Sequence, residues 1–402
     1  MNPWPVARAA LRRSWRSALA MALLVALATA TGVGVSVLER GMRRAAAQSA
    51  DAFDLIIGAP GSATQLVLTA VYLQPDTVPL MDGAILDRVM AEPEVVWASP
   101  IGFGDQWHGH PIVGVTPAFV TQGGRRPLTD GTAFAAEDEA VVGASVPLQN
   151  GETIVPQHGR MEVPDGGGHN HTESPYRVVG RLPFTGTPWD GAILVPIESV
   201  WEIHGLGDGH APNTTRIGPP WEAGAPGIPA MVVKPRSIAG AYQLRARYRA
   251  AGSTAVFPGE VLASLFRTLG DVRAVLSAMA TVTAVLVMAA VFLAFGAAVA
   301  SRAREHAVLR AIGAPPRFVL AAVWLELGVV LVVGVVAGVG LGWVLAWGGA
   351  SVLGRSAGLS VGARLTGADA ALALAVLAAG LVAAAIPAVM AGRVPVGAGL
   401  KR

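Results

Sequence analysis

The chain has no cysteine, which excludes disulfides, thiolate metal sites and cysteine nucleophiles, so any exported part must be held by its own core. Lysine is nearly absent: the two present, Lys234 and Lys401, do not follow glycine. A Walker A loop needs a Gly-Lys-Ser/Thr run to cradle phosphates, so this sequence contains none, and nucleotide energy would have to come from another chain. Charge is also scarce. With 14% charged and 52% apolar residues, a chain of 402 residues is too apolar to be fully soluble. Aromatic residues make up only 6%; Ala, Gly, Val and Leu supply most of the apolar count, as in transmembrane helices that pack closely. The net charge of +3 is small, so the placement of charges is more informative than their sum.

Four stretches reach the roughly 20 apolar residues needed to cross a bilayer. They are 17–38, 274–301, 318–347 and 370–392, interrupted only by Glu326 in the third and bent by Pro387 in the fourth. The first has an alternative reading as a signal peptide, with Arg8, Arg12, Arg13 and Arg16 before it and Ala28-Thr29-Ala30 as a cleavage-like site. Against that, the uncharged run is long and Arg40, Arg43 and Arg44 follow it. Short basic loops stay in the cytoplasm. The arginines before the first span, Arg302, Arg304, Arg310 and Arg317 between the second and third, and Arg393, Lys401 and Arg402 after the fourth therefore put both termini inside.

The expected fold is an α-helical membrane protein with four transmembrane helices and an α+β extracytoplasmic domain inserted between the first and second. Its parts are an interfacial amphipathic helix (1–16), the outer domain (39–273), a cytoplasmic loop (302–317), a short outer loop (348–369) and a cytoplasmic tail (393–402). In the first of these, Trp4, Leu11 and Trp15 lie on one side and Arg8, Arg12 and Arg16 on another. The outer domain has a strand-helix-strand pattern at each end: strands near 53–57 and 95–98 around a helix from Pro79 to Met90, and strands near 231–233 and 254–257 around a helix from Ser237 to Ala251. Between them, 104–229 reads as a β-rich insertion with Gly-, Pro- and His-rich loops.

The most informative stretch is Ser301-Arg302-Ala303-Arg304-Glu305-His306-Ala307-Val308-Leu309-Arg310-Ala311-Ile312-Gly313-Ala314. Val308, Leu309 and Ile312 read as one helix face, and Gly313 followed by Pro315 and Pro316 as a stop. Such a short helix beneath the bilayer is either a hairpin that fixes topology or a coupling helix that docks on a motor. Its Arg-x-Arg-Glu and Leu-Arg-Ala-Ile-Gly-Ala pattern resembles the signature of the FtsX/MacB-like permeases of ABC transporters. Leu11 to Leu19, Phe53 to Tyr72 and Pro258 to Leu262 resemble the same family's first helix, periplasmic core and lead into the second helix. The resemblance does not cover 104–229.

That resemblance implies a stand-alone permease subunit in a bacterial inner membrane, which itself binds no cofactor. A separate cytoplasmic ATPase with its ATP and Mg would push Arg302, Arg304, Glu305, Leu309, Arg310 and Gly313, and the helices would relay the motion to the periplasmic domain. Such a chain is not an enzyme and binds no nucleic acid. Its implied partners are a second permease copy and a periplasmic adaptor or substrate-binding protein. The work done is export, extraction or release of a peptide, lipoprotein or amphiphile; an alternative is FtsX-like control of a cell-wall hydrolase.

Three further features need a place. Gly334, Gly338 and Gly342 form a small-xxx-small face, fit either for a dimer contact or for packing within one subunit. Seven of the eight histidines fall in the outer domain. His108, His110, His169, His171, His204 and His210 are candidate zinc ligands, either for a zinc-linked receptor or merely as polar loop residues. Glu326, the one charge within a span, reads as packed against a neighbouring helix or near an interface rather than as an ion carrier. Gly358-Leu359-Ser360-Val361-Gly362 matches the nucleophile-elbow pattern, but no strand precedes it.

Overall fold

The computed structural model describes residues 2–74, 78–158, 169–170, 175–211, 214, 216–221, 224–250 and 252–393. They form two units, one of helices (1–43, 269–352 and 361–402) and one α/β unit (44–268 and 353–360).

The helical unit begins with α1 (Trp4–Arg13) and α2 (Trp15–Asp51), and continues with α8 (Pro258–Ser301), α9 (Ala303–Ala311), α10 (Pro316–Ala357) and α11 (Gly367–Gly392). Among the described residues, α2, α10 and α11 are long and apolar enough to cross a membrane, and Met288–Ser301 of α8 is a shorter apolar stretch. Their outward faces carry Leu23, Leu27, Val336, Trp347, Val382 and Ile386, each more than half exposed, an apolar surface that water would not tolerate but lipid would. Inward, Val25, Phe295, Val319, Leu331 and Ala388 share a core.

Glycine sets how closely α2 and α10 approach. A Cβ on Gly334 would lie 2.8 Å from the Ala22 carbonyl, one on Gly338 2.6 Å from that of Ala26, and one on Gly342 2.7 Å from that of Ala30. Both series climb by four residues, so the two helices run parallel with their backbones nearly touching. At their far end Arg40 grips both oxygens of Asp369, at 2.7 and 2.6 Å. Asp369 also accepts from the Thr366 backbone N–H at 2.8 Å, closing the N-terminal cap of α11. Arg40, read from sequence only as a charge beyond the first span, thus pins α2 to α11.

In the α/β unit the strands are β1 (Leu55–Gly58), β2 (Val95–Trp107), β3 (His110–Val115), β4 (Asp130–Gly131), β5 (Glu139–Val142), β6 (Thr153–Ile154), β7 (Gln157–His158), β8 (His169–Asn170), β9 (Tyr176–Arg181), β10 (Ile193–Pro196), β11 (Ala230–Pro235) and β12 (Thr254–Val256). The order β12-β1-β11-β2-β3-β10-β5-β9-β4 is a mixed sheet, with β3/β10 and β5/β9 parallel. Helices α3 (Ala63–Tyr72), α4 (Ala84–Met90), α5 (Pro117–Thr121), α6 (Ile197–Ile203) and α7 (Ile238–Ala250) accompany it.

Strands from the two ends of the unit are neighbours: β1 lies between β12 and β11, and β11 lies beside β2. The long β2 joins them to the insertion, pairing β11 through 95–101 and β3 through 102–107. Leu55, Ile57, Met231 and Val233 enter one apolar core, whereas Ile56, Ala230 and Val232 enter another. With both faces buried, these strands read as continuous apolar runs. The helix expected from Pro79 to Met90 starts at Ala84, because Met81 forms a bridge with Ile228 and keeps the chain extended before it.

Candidate functional site

The loop between the second and third expected spans folds as α9, delivered by local chemistry. Gly313 sits at φ +98°, a conformation that costs glycine little, and the N–H of Ala314 returns to the Leu309 carbonyl at 3.0 Å to close the helix end. Pro316 then occupies the first turn of α10, where its missing N–H is no loss.

Burial divides α9 into an anchored side and a free side. Arg302, just before the helix, forms a 2.8 Å ion pair with Glu326 of α10, and these side chains are only 18% and 14% exposed. His306 and Ala307 are buried, and Leu309 packs against the helical core. Arg310 donates to the Gly392 carbonyl at the end of α11, at 3.3 Å. Burial lowers the His306 pKa. On the other side, Val308 is 45% and Ile312 77% exposed, and Arg304 and Glu305 are exposed. Glu305 pairs with Arg13 of α1 at 3.3 Å.

The expected contact set therefore splits. Arg302, Leu309, Arg310 and Gly313 hold α9 in place, while Arg304 and Glu305 face outward. The face expected from Val308, Leu309 and Ile312 is also divided, because 100° of rotation per residue turns Leu309 inward. The outward apolar pair is Val308 and Ile312, four residues apart.

The three glycines of α10 face α2 of the same chain, and that helix covers them. Ser360 follows a helix rather than a strand, and its N–H donates to Gly186 at 3.1 Å.

Of the candidate zinc ligands, His171 lies outside the described residues, and for His169 only the backbone pairing with His158 is described. His108 and His110 flank the β2–β3 turn beside Trp107, and His110 Nδ1 lies 2.8 Å from the Gly191 carbonyl. His204 Nδ1 lies 2.7 Å from the Val200 carbonyl, and His210 Nε2 is 3.8 Å from Glu198. Among the described residues, the group of three potential ligands brought within 4.8 Å of one another is Glu137, Glu202 and Asp208, with no histidine in it. Glu202 and Asp208 lie six residues apart, and Glu137 comes from a distant segment.

Residues 277–396 match the family model of the FtsX-like permease C-terminal domain. Among solved structures, the chain is similar to the periplasmic region of MacB from Actinobacillus actinomycetemcomitans, at 10% identity over 52% of this chain and 91% of that one, with a TM-score of 0.32. It is also similar to the extracellular domain of the noncanonic ABC-type transporter YknZ from Gram-positive bacteria, at 11% identity over 50% of this chain and 98% of that one, with a TM-score of 0.29. No curated protein sequence matches.

Proposed function

We propose, for a chain whose residues 277–396 form an FtsX-like permease C-terminal domain, that it is the membrane subunit of an ABC transporter-type complex in a bacterial inner membrane. A separate cytoplasmic ATPase with its ATP and Mg drives it. The observation that carries this reading is α9: a short helix fixed to the helical core on one side, with Val308, Ile312, Arg304 and Glu305 left exposed on the other.

Sidedness supports it. The parallel register of α2 with α10, and the bond from Arg310 to Gly392, bring the start of α2, α9 and the end of α11 to one end of the helical unit. Arg8, Arg12, Arg13, Arg16, Arg302, Arg304, Arg310, Arg317 and Arg393 flank those same helix ends in sequence, as expected for a cytoplasmic side. Residues 353–360, the end of α10 and the turn after it, belong to the α/β unit, which suits an extracytoplasmic position. In this reading α2 and α8, at 37 and 44 residues longer than a bilayer crossing needs, relay the push along their axes. The relayed motion acts on a peptide, lipoprotein or amphiphile outside the bilayer, in a pair of permease copies with an adaptor or substrate-binding partner.

The test is Val308→Asp with Ile312→Asp, made together in the full chain co-expressed with its ATPase. The pair is exposed, so thermal stability in detergent should be unchanged, while ATPase co-purification and its stimulated hydrolysis fall at least tenfold. Leu309→Asp should do the reverse first, lowering stability because Leu309 packs on the core. Undiminished ATPase association in the Val308/Ile312 double variant would remove α9 as the motor contact.

A further inference from the structure

The outward apolar surface of α2 has a defined end. Trp15, Leu19, Leu23 and Leu27 recur at every fourth residue, and each is half exposed or more. Residues four apart share one helix face, so these side chains form a row along which an acyl chain can lie. The row stops at Trp15. Just before it the chain turns at Ser14, which leaves helical geometry (φ −111°, ψ 31°) while its hydroxyl donates to the Ala10 carbonyl at 2.9 Å.

Guanidinium groups stand at that end. Ala7, 1% exposed, and Leu11, packed on the helical core, turn one side of α1 inward. Arg8 and Arg12, one turn apart, are left exposed, and Arg16 is exposed in the first turn of α2 with its guanidinium carbon 5.5 Å from the centre of the Trp15 ring. No acidic residue precedes Glu39 in the sequence. Glu305 reaches α1 from α9, but it is taken by Arg13, at 3.3 Å. Among the described residues, Arg8, Arg12 and Arg16 form no ion pair. Three exposed like charges without a counter-charge attract an anion. Trp4, 44% exposed, and Trp15 accompany them, and indole rings favour the level where acyl chains give way to headgroups. The anion that fits is therefore one joined to an apolar tail.

We propose that Arg8, Arg12 and Arg16 bind the headgroup of an anionic phospholipid whose acyl chain lies along Trp15, Leu19, Leu23 and Leu27. A guanidinium meets phosphate oxygens through two parallel N–H bonds, which suits arginine rather than lysine to this task. Net charge selects the lipid: a zwitterionic headgroup carries its own ammonium, which three arginines repel, whereas an anionic one does not. The inference rests on the membrane reading of the helical unit and is independent of the motor contact.

The test uses the full-length protein in detergent, titrated with phosphatidylglycerol or phosphatidylcholine, with each bound lipid counted by native mass spectrometry. The wild type should bind its first phosphatidylglycerol more tightly than its first phosphatidylcholine, and added salt should shrink the difference. Arg8→Gln, Arg12→Gln and Arg16→Gln made together should weaken phosphatidylglycerol at least fivefold, since one basic residue near an anionic surface contributes about that factor, and should leave phosphatidylcholine unchanged. The three positions are exposed, so the thermal midpoint should hold. Trp15→Ala should weaken both lipids alike, because it removes contact with the tail and no charge. Equal affinity of the wild type for the two lipids, or an undiminished preference in the triple variant, would overturn the inference and leave the membrane reading standing. Failure of the wild type to incorporate into vesicles of phosphatidylcholine with phosphatidylglycerol would remove both.

Discussion

Gly338→Leu should separate α2 from α10 and unfold the helical unit. The first carbon of that side chain would stand 2.6 Å from both the Ala26 carbonyl and the Thr29 Cβ, and 3.0 Å from the Ala26 Cα. Overpacking a core usually costs about 1–3 kcal/mol because neighbouring side chains yield. Here the neighbour is main chain, which yields only if the helix moves away, so the cost lies at or beyond the top of that range. Gly340→Leu is the control: nothing lies within 4 Å of its Cβ, and its stability in detergent should be unchanged. The absence of native cysteine makes a second readout clean. Val33 and Ala346 are buried in one small apolar cluster, so Val33→Cys with Ala346→Cys should cross-link within one chain, and should stop doing so when Gly338→Leu is added. Cross-linking between chains instead would assign the glycine face to a second copy.

The sequence made some of this architecture legible and concealed the rest for identifiable reasons. Apolar run length marks the helices now seen as α2, α10 and α11, and Gly313 with Pro315 and Pro316 marks where α9 must stop, because these signals are local. The strands at 55–58, 230–235 and 254–256 could be read because burial on both faces makes them unbroken apolar runs. What stayed hidden depends on partners far along the chain. Arg40 looked like a topology signal, and its bond to Asp369 spans 329 positions. The rotation of Leu309 away from Val308 and Ile312 depends on where the helical core lies, which a short amphipathic pattern does not specify. In the trio Glu137, Glu202 and Asp208, the first lies 65 residues before the second, a separation that no motif marks. The trio exists only because α6 sits close over Gly102 and Gly114 and carries Glu202 with it. Among the described residues, no histidine joins that trio.

Glu326→Ala is the second large effect, and it bears on mechanism as well as stability. Removing that carboxylate leaves the guanidinium of Arg302 largely buried with its partner gone, a situation that costs about 3–5 kcal/mol when a buried pair is broken from one side. The thermal midpoint should fall accordingly, and Arg302→Ala should be damaging for the same reason. Replacing both partners, Arg302→Met with Glu326→Leu, should restore stability, because apolar residues of similar volume carry no desolvation penalty in the same space. Function should not return with it. Arg302 directly precedes α9, and its bond to Glu326 fixes where that helix begins relative to α10. An apolar contact holds the two helices together without setting their register, since it has no preferred direction. The double variant should therefore be as stable as the wild type yet stimulate the partner ATPase several-fold less. Full stimulation by the double variant would reduce the pair to a support for the fold, with no part in aiming α9 at the motor.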